Sequence, residues 1–191
     1  MPNWQADTNS MESLPAFFEA ERCYRQAQQF YLLEGDDQAA LASIDLALRV
    51  SPVKAKAMVL KAEILFSLGS YKTALLVIED AICARPNWAE PYLSKTNILA
   101  VLGRYADANK ACSQGMALVT EKSRYLMPSF MDQKISILLR LRRFREVASL
   151  LRMASEILSD AEYAEVLNTY EKLMAQHRPK TKPGQAHLRI V

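Results

Sequence analysis

Residues 55–86 read Ala-Lys-Ala-Met-Val-Leu-Lys-Ala-Glu-Ile-Leu-Phe-Ser-Leu-Gly-Ser-Tyr-Lys-Thr-Ala-Leu-Leu-Val-Ile-Glu-Asp-Ala-Ile-Cys-Ala-Arg-Pro. Two helical patterns flank the turn Leu68-Gly69-Ser70-Tyr71. Small residues at Ala62, Ala74 and Ala81 mark where two helices must approach closely, and Met58, Leu65, Tyr71 and Ile78 supply large apolar contacts. Gly69 allows the positive φ that ends the first helix, and Pro86 stops the second.

The same marks recur at a fixed step along the chain. Gly35, Gly69 and Gly103 are equally spaced, as are Ala40, Ala74 and Ala108. Ala47 and Ala81 are followed at the same step by Gly115, and Ile44 and Ile78 by Cys112. Pro52 and Pro86 match, with Thr120 where a third Pro would fall. Several positions agreeing on one period is a far stronger signal than any one of them. A fourth, degenerate unit has Phe144, Val147, Leu151 and Ala154 at the repeat positions, Arg142 in place of the turn Gly, and about five residues inserted between Ala117 and Pro128.

This pattern resembles the tetratricopeptide repeat (TPR), a helix–turn–helix unit of about 34 residues. The resemblance implies an all-α, right-handed TPR-type helix-pair solenoid. Three clear units (about 21–54, 55–88 and 89–122) and a degenerate one (128–159) are expected, closed by a capping helix over 161–176. Such units cannot bury their apolar faces alone and must stack. The TPR domain is expected over 13–177, between a flexible N-terminus (1–12) and a basic flexible tail (178–191).

Helices are expected from Ser13, as N-cap, to about Glu34, then at about 36–51, 53–67, 71–84, 88–101, 105–121, 124–140 and 144–158. Pro128 falls in the first turn of the seventh or kinks it. Asp160 is expected to cap the last helix, whose Tyr163, Val166, Leu167, Tyr170 and Met174 lie on one side. The aromatics of the first helix fit a packed lead-in turn or, through Phe17 and Phe18, a self-association face.

Composition narrows the function classes. Half the residues are hydrophobic and 24% are charged, a globular balance. Apolar runs are too short for a transmembrane helix, and the N-terminal residues lack a signal-peptide pattern. Cys23, Cys83 and Cys112 lack metal-ligand spacing and read as free thiols, which points to the cytoplasm. The only histidines are His177 and His187, and there is no phosphate-binding glycine motif. Nothing here supports an enzyme, a cofactor or a metal site.

Charge is uneven. Residues 1–121 carry 11 basic and 14 acidic side chains, whereas 122–191 carry 13 and 7. A basic patch, Arg140, Arg142, Arg143 and Arg145, stands at the turn of the fourth unit. It is either a solvated turn with Leu141 and Phe144 in the core, or a contact for an anionic partner. No aromatic platform accompanies it, which argues against nucleic acid.

The resemblance further implies a protein or peptide partner held in the concave groove of the first helices. By repeat position, the first unit contributes Arg22, Arg25, Gln26 and Gln29. The second contributes Lys56, Val59, Leu60, Glu63 and Phe66, and the third Glu90, Leu93, Ser94 and Asn97. The fourth adds Asp132, Gln133 and Ser136. One TPR subclass grips the C-terminal carboxylate of heat-shock chaperones with Lys, Asn and Arg. Arg25 and Gln29 are loosely comparable, but Leu60, Glu90 and Ser94 are not, so that clamp is absent. A non-enzymatic adaptor, chaperone or assembly factor is the leading expectation. A self-associating scaffold, or a protein like the small TPR chaperones of type III secretion, is the alternative.

Overall fold

A computed structural model describes residues 8–50 and 54–177. The positions 1–7, Pro52 and the tail 178–191, for which the sequence carries expectations, lie outside the described residues. Their regular structure is all helical, with no strand among the described residues. The chain forms two compact units, dividing between Phe130 and Met131.

In the first unit α1 (Thr8–Gln29) runs into a π-helical turn (Phe30–Glu34), followed by α2 (Asp37–Val50), α3 (Lys54–Ser67), α4 (Tyr71–Ala84), α5 (Glu90–Val101) and α6 (Tyr105–Ala117). A 3-10 turn (Glu121–Leu126) leads into α7 (Met127–Arg140). The helices pair as α1 with α2, α3 with α4 and α5 with α6, and the pairs stack through α2 on α3 and α4 on α5. The small repeat positions are fully buried: Ala40, Ala74, Ala81 and Ala108 have no exposed surface. So do Ile44, Ile78 and Cys112.

One turn geometry recurs. Gly35, Gly69 and Gly103 have φ of 69°, 75° and 73°. After α3 the Ser70 N–H donates to the Leu65 carbonyl and Gly69 N–H to Phe66, and Arg104 and Gly103 do the same to Leu99 and Ala100. These paired bonds satisfy carbonyls that a helix end otherwise leaves open. In the degenerate unit Arg143 and Arg142 bond Leu138 and Leu139 in the same way. Arg142 accordingly sits at φ 57°, the one non-glycine residue among those described with positive φ.

A second recurring device ties neighbouring pairs together. Lys61 on α3 reaches Asp45 on α2 at 2.6 Å, and Lys95 on α5 reaches Glu79 on α4 at 2.8 Å. Both lysines and both acids are one repeat apart.

Gly115 has its own reason to lack a side chain. A Cβ there would stand 2.4 Å from the Phe130 ring and 2.6 Å from the Tyr92 Cβ. Phe130 is fully buried with Ala89, Cys112 and Leu126, and the Cys112 thiol donates to the Phe130 carbonyl at 3.3 Å. Where a third Pro was expected, Thr120 and Ser123 form a capping box that starts the 3-10 turn. The inserted residues are therefore spent on that turn, and Pro128 falls in the first turn of α7.

The second unit contains the rest of α7, α8 (Phe144–Ile157) and α9 (Asp160–His177). Val147, Leu150, Ala154 and Val166 are buried in it. Val166 lies on the apolar side of α9 anticipated from the sequence.

Four local expectations are corrected. The first helix begins at Thr8, five residues before Ser13, so Ser13 is not its N-cap and Pro15 lies inside it. Proline removes one N–H but does not prevent residues before it from being helical. The sixth helix ends at Ala117, because the Thr120 cap starts a separate turn. The cap of α9 is Ser159, not Asp160: the Ser159 N–H and hydroxyl both donate to Glu162, at 2.9 and 2.7 Å. The Ser-x-x-Glu signature of that box is present in the sequence. Phe144 is 53% exposed, not core, because it opens α8 on the outer side of the turn.

Candidate binding groove and its relatives

The first-helix side of the first unit carries two clefts that share Glu63. One, of about 260 Å³, is lined by Tyr24, Gln28, Leu32, Lys56, Val59, Leu60, Glu63, Trp88 and Glu90. The other, of about 310 Å³, is lined by Tyr31, Ala62, Glu63, Phe66, Leu93, Ser94, Asn97 and Ile98. All nine groove positions expected on α3 and α5 line one or both clefts. They fall there because side chains three and four residues apart share a helix face, and α3 and α5 repeat that face.

The four expected on α1 do not line them. Arg22 is exposed and pairs with Glu19 at 3.9 Å, Arg25 is exposed and pairs with Glu21 at 3.2 Å, and Gln29 donates to Glu34 at 2.8 Å. Gln26 is likewise exposed. Tyr24, Gln28, Tyr31 and Leu32 take their place. The π turn is the cause: its wider turn takes up an extra residue, so the α1 positions before it are displaced by about one. A trace is legible in the sequence. One repeat back from Ala62 is Gln28, yet the small, fully buried residue is Ala27. Trp88 was missed because it precedes α5, in a connection where the helical period carries no information.

The apolar lining divides by depth. Leu60 is only 5% exposed and belongs to the core formed by Cys23, Ala27, Ile44 and Ile64. Leu93 is half-buried beside the Cys112–Phe130 cluster. Phe66 is half-buried, with its ring edge-on to Tyr71 at 5.3 Å. Asn97 is exposed. Trp88 carries the Arg85 guanidinium 4.9 Å from its ring centre. Thr96 stands one repeat after Ala62 and is fully buried, its hydroxyl donating to the Tyr92 carbonyl at 2.6 Å.

The polar centre is Glu63. Ser94 Oγ donates to Glu63 Oε1 at 2.9 Å, joining α3 to α5. Burial pushes the Glu63 carboxyl above its ordinary 4.5; the Ser94 bond pulls it back in part, and Glu90 pushes it further up. Burial likewise raises the Tyr24 hydroxyl, with Glu90, Glu21 and Glu63 adding to it, and the Tyr31 hydroxyl, with Glu63 and Asp37 adding. This arrangement offers apolar walls, hydrogen-bonding hydroxyls and negative charge. Among the described residues no group of three or more His, Cys, Asp or Glu could hold a metal ion.

In the second unit, Asp132 is part-buried and bonds to Thr169 of α9; burial raises its carboxyl against that bond, and Glu165 adds to the rise. The fourth unit's expected groove positions Asp132, Gln133 and Ser136 are all part-buried, and none lines the two clefts. Arg140, Arg142, Arg143 and Arg145 are all exposed, with Arg143 paired to Glu146. No helix among the described residues is long and apolar enough to cross a membrane. Cys23, Cys83 and Cys112 form no disulfide.

No protein-family model and no curated protein matches the chain. Solved structures do. YrrB, described as a TPR protein with an unusual peptide-binding site, aligns with a TM-score of 0.62 at 18% identity over 90% of this chain and 84% of its own. MamA from Desulfovibrio magneticus RS-1 aligns at 0.56 and 18% identity, over 85% and 78%. The TPR2B domain of yeast Sti1, solved in complex with pHsp70, aligns at 0.52 and 16% identity, over 83% and 98%. The fold is that of a TPR helix-pair solenoid, as the repeat period implied.

Proposed function

We propose that the protein is a non-enzymatic interaction module, an adaptor, chaperone or assembly factor, that binds a segment of a partner protein in the groove over α3 and α5. The observation that carries this reading is the pair of adjoining clefts with a common carboxylate, flanked by the half-buried Phe66 and Leu93 and the exposed Leu32. Packing alone does not call for open apolar surface beside hydrogen-bonding groups. A peptide with a few apolar anchors and some polar contacts uses both. The peptide-binding site of YrrB and the pHsp70 complex of the Sti1 domain belong to those proteins and are consistent with this use of the fold. The three free thiols support placing it in the cytoplasm.

The test is affinity capture from native cells with wild type, Asn97→Trp and Lys72→Leu, read by mass spectrometry. Asn97 is exposed in the cleft, so Trp blocks the groove without disturbing the core; Lys72 is exposed on α4. Partners retained by Lys72→Leu and lost by Asn97→Trp are the expected result. Full recovery by Asn97→Trp, at unchanged melting temperature, removes the groove from consideration.

One observation favours the second reading, a self-associating scaffold: Phe17 and Phe18, in edge-on contact at 5.8 Å, are 41% and 65% exposed, and Leu33 is 81% exposed. Sedimentation separates the two. A discrete species supports the adaptor, and growth with concentration supports the scaffold.

A further inference from the structure

Among the described residues Glu63 is a carboxylate without a counter-ion. It is largely withdrawn from water, yet its hydrogen bond is to a neutral hydroxyl, Ser94. Among the described residues no cation forms an ion pair with Glu63 or with Glu90, which lines the same cleft. Buried charges in proteins are normally paired or bound to a cation. The lysines that could have served are committed elsewhere: Lys61 to Asp45 and Lys95 to Glu79, on the second helices. Arg85 lies over Trp88, and Lys56, which lines the same cleft, is exposed and forms no ion pair with either acid among the described residues.

We propose that the groove selects partner segments carrying a Lys or Arg beside apolar residues, the cation seating against Glu63 and Glu90 and the apolar neighbours against Leu32, Phe66 and Leu93. Charge complementarity names this occupant. Glu63 borders both clefts, so one cation placed there leaves apolar surface on either side. A cation at this point would also lower the raised Glu63 carboxyl, which couples binding to proton release. The specificity is opposite in sign to recognition of a terminal carboxylate.

The inference rests on the groove reading above, and its test separates the two. The full chain is immobilised and used to select from a displayed library of random peptides, with Asn97→Trp as the blocked control and Glu63→Gln and Glu90→Gln as charge variants. Glutamine keeps the shape and, at position 63, an acceptor for Ser94. The expected result is enrichment of Lys or Arg flanked by apolar residues. Synthetic copies of the selected peptides should bind each charge variant roughly tenfold or more weakly, the scale of losing one partner of a close charge pair. Selected peptides without a basic residue, or basic ones that bind the charge variants as tightly as wild type, overturn this inference while leaving the groove reading in place. Displacement of those peptides by a synthetic 178–191 peptide at equal concentration assigns the site to the chain's own basic segment and overturns the partner. Failure to enrich any peptide over Asn97→Trp overturns both.

Discussion

Ser94 on α5 donates a 2.9 Å hydrogen bond to Glu63 on α3, so two consecutive repeats are joined at the centre of the groove by a partly buried carboxylate. That bond offsets only part of the cost of withdrawing the charge from water, since burial is the larger influence on Glu63.

A pH dependence follows. A carboxyl whose folded pKa is raised holds more protons in the native state than in the unfolded one between the two values. Stability therefore falls as pH rises from 4.5 through that interval, and stays lower above it. Glu63→Gln removes the charge and keeps the acceptor. Its melting temperature should exceed wild type at pH 7, with the difference vanishing below about pH 4. Equal melting temperatures at neutral pH would show that the charge is not strained.

Gly115→Ala should destabilise the first unit. The added methyl meets the fixed Tyr92 Cβ and the rim of a fully buried ring, so the α5–α6 contact must open. Overpacking of this kind costs about 1–3 kcal/mol. It outweighs the roughly 1 kcal/mol that alanine gains over glycine within a helix. Adding Phe130→Leu should recover part of the loss, because it removes one of the two clashes. Chemical denaturation of the four forms gives the coupling, and a stable Gly115→Ala would mean that the helices approach less closely.

Ala74→Leu and Ala81→Leu should each cost about 1–3 kcal/mol by the same overpacking. Both alanines are fully buried where α4 meets its neighbours, whereas Lys72 on the same helix is exposed. Lys72→Leu is the matched control and should change stability by less than about 0.5 kcal/mol. Comparable losses in all three would contradict the helix orientation.

Arg142→Gly should be neutral or stabilising by up to about 1 kcal/mol, although it deletes a charged side chain. The residue sits at φ 57° in a turn that glycine fills after α3 and α5. The extra freedom glycine brings to the unfolded chain limits the gain. A clear loss of stability would assign the Arg142 side chain a structural contact.

The sequence by itself determined the repeat period, the helix pairs and the faces of α3 and α5 that line the two clefts. Those features rest on local and periodic requirements: positive φ at Gly69, no room beyond a methyl at Ala74 and Ala81, and a shared face for residues three and four apart. The step from Glu63 to Asn97 could be read because α3 and α5 keep one helical phase. Tertiary structure decided the rest. The π turn at Phe30–Glu34 shifts α1, replacing Arg22, Arg25, Gln26 and Gln29 with Tyr24, Gln28, Tyr31 and Leu32, and its one trace in the sequence is a small residue at Ala27 where the period calls for position 28. Burial also separated Leu60, which belongs to the core, from the more open Leu93, though both occupy groove positions by period. Which lysines pair with which acids depends on distances between helices far apart in sequence. Periodicity places side chains on a face; only the packing of one helix against another sets how deep each lies and what stands opposite it.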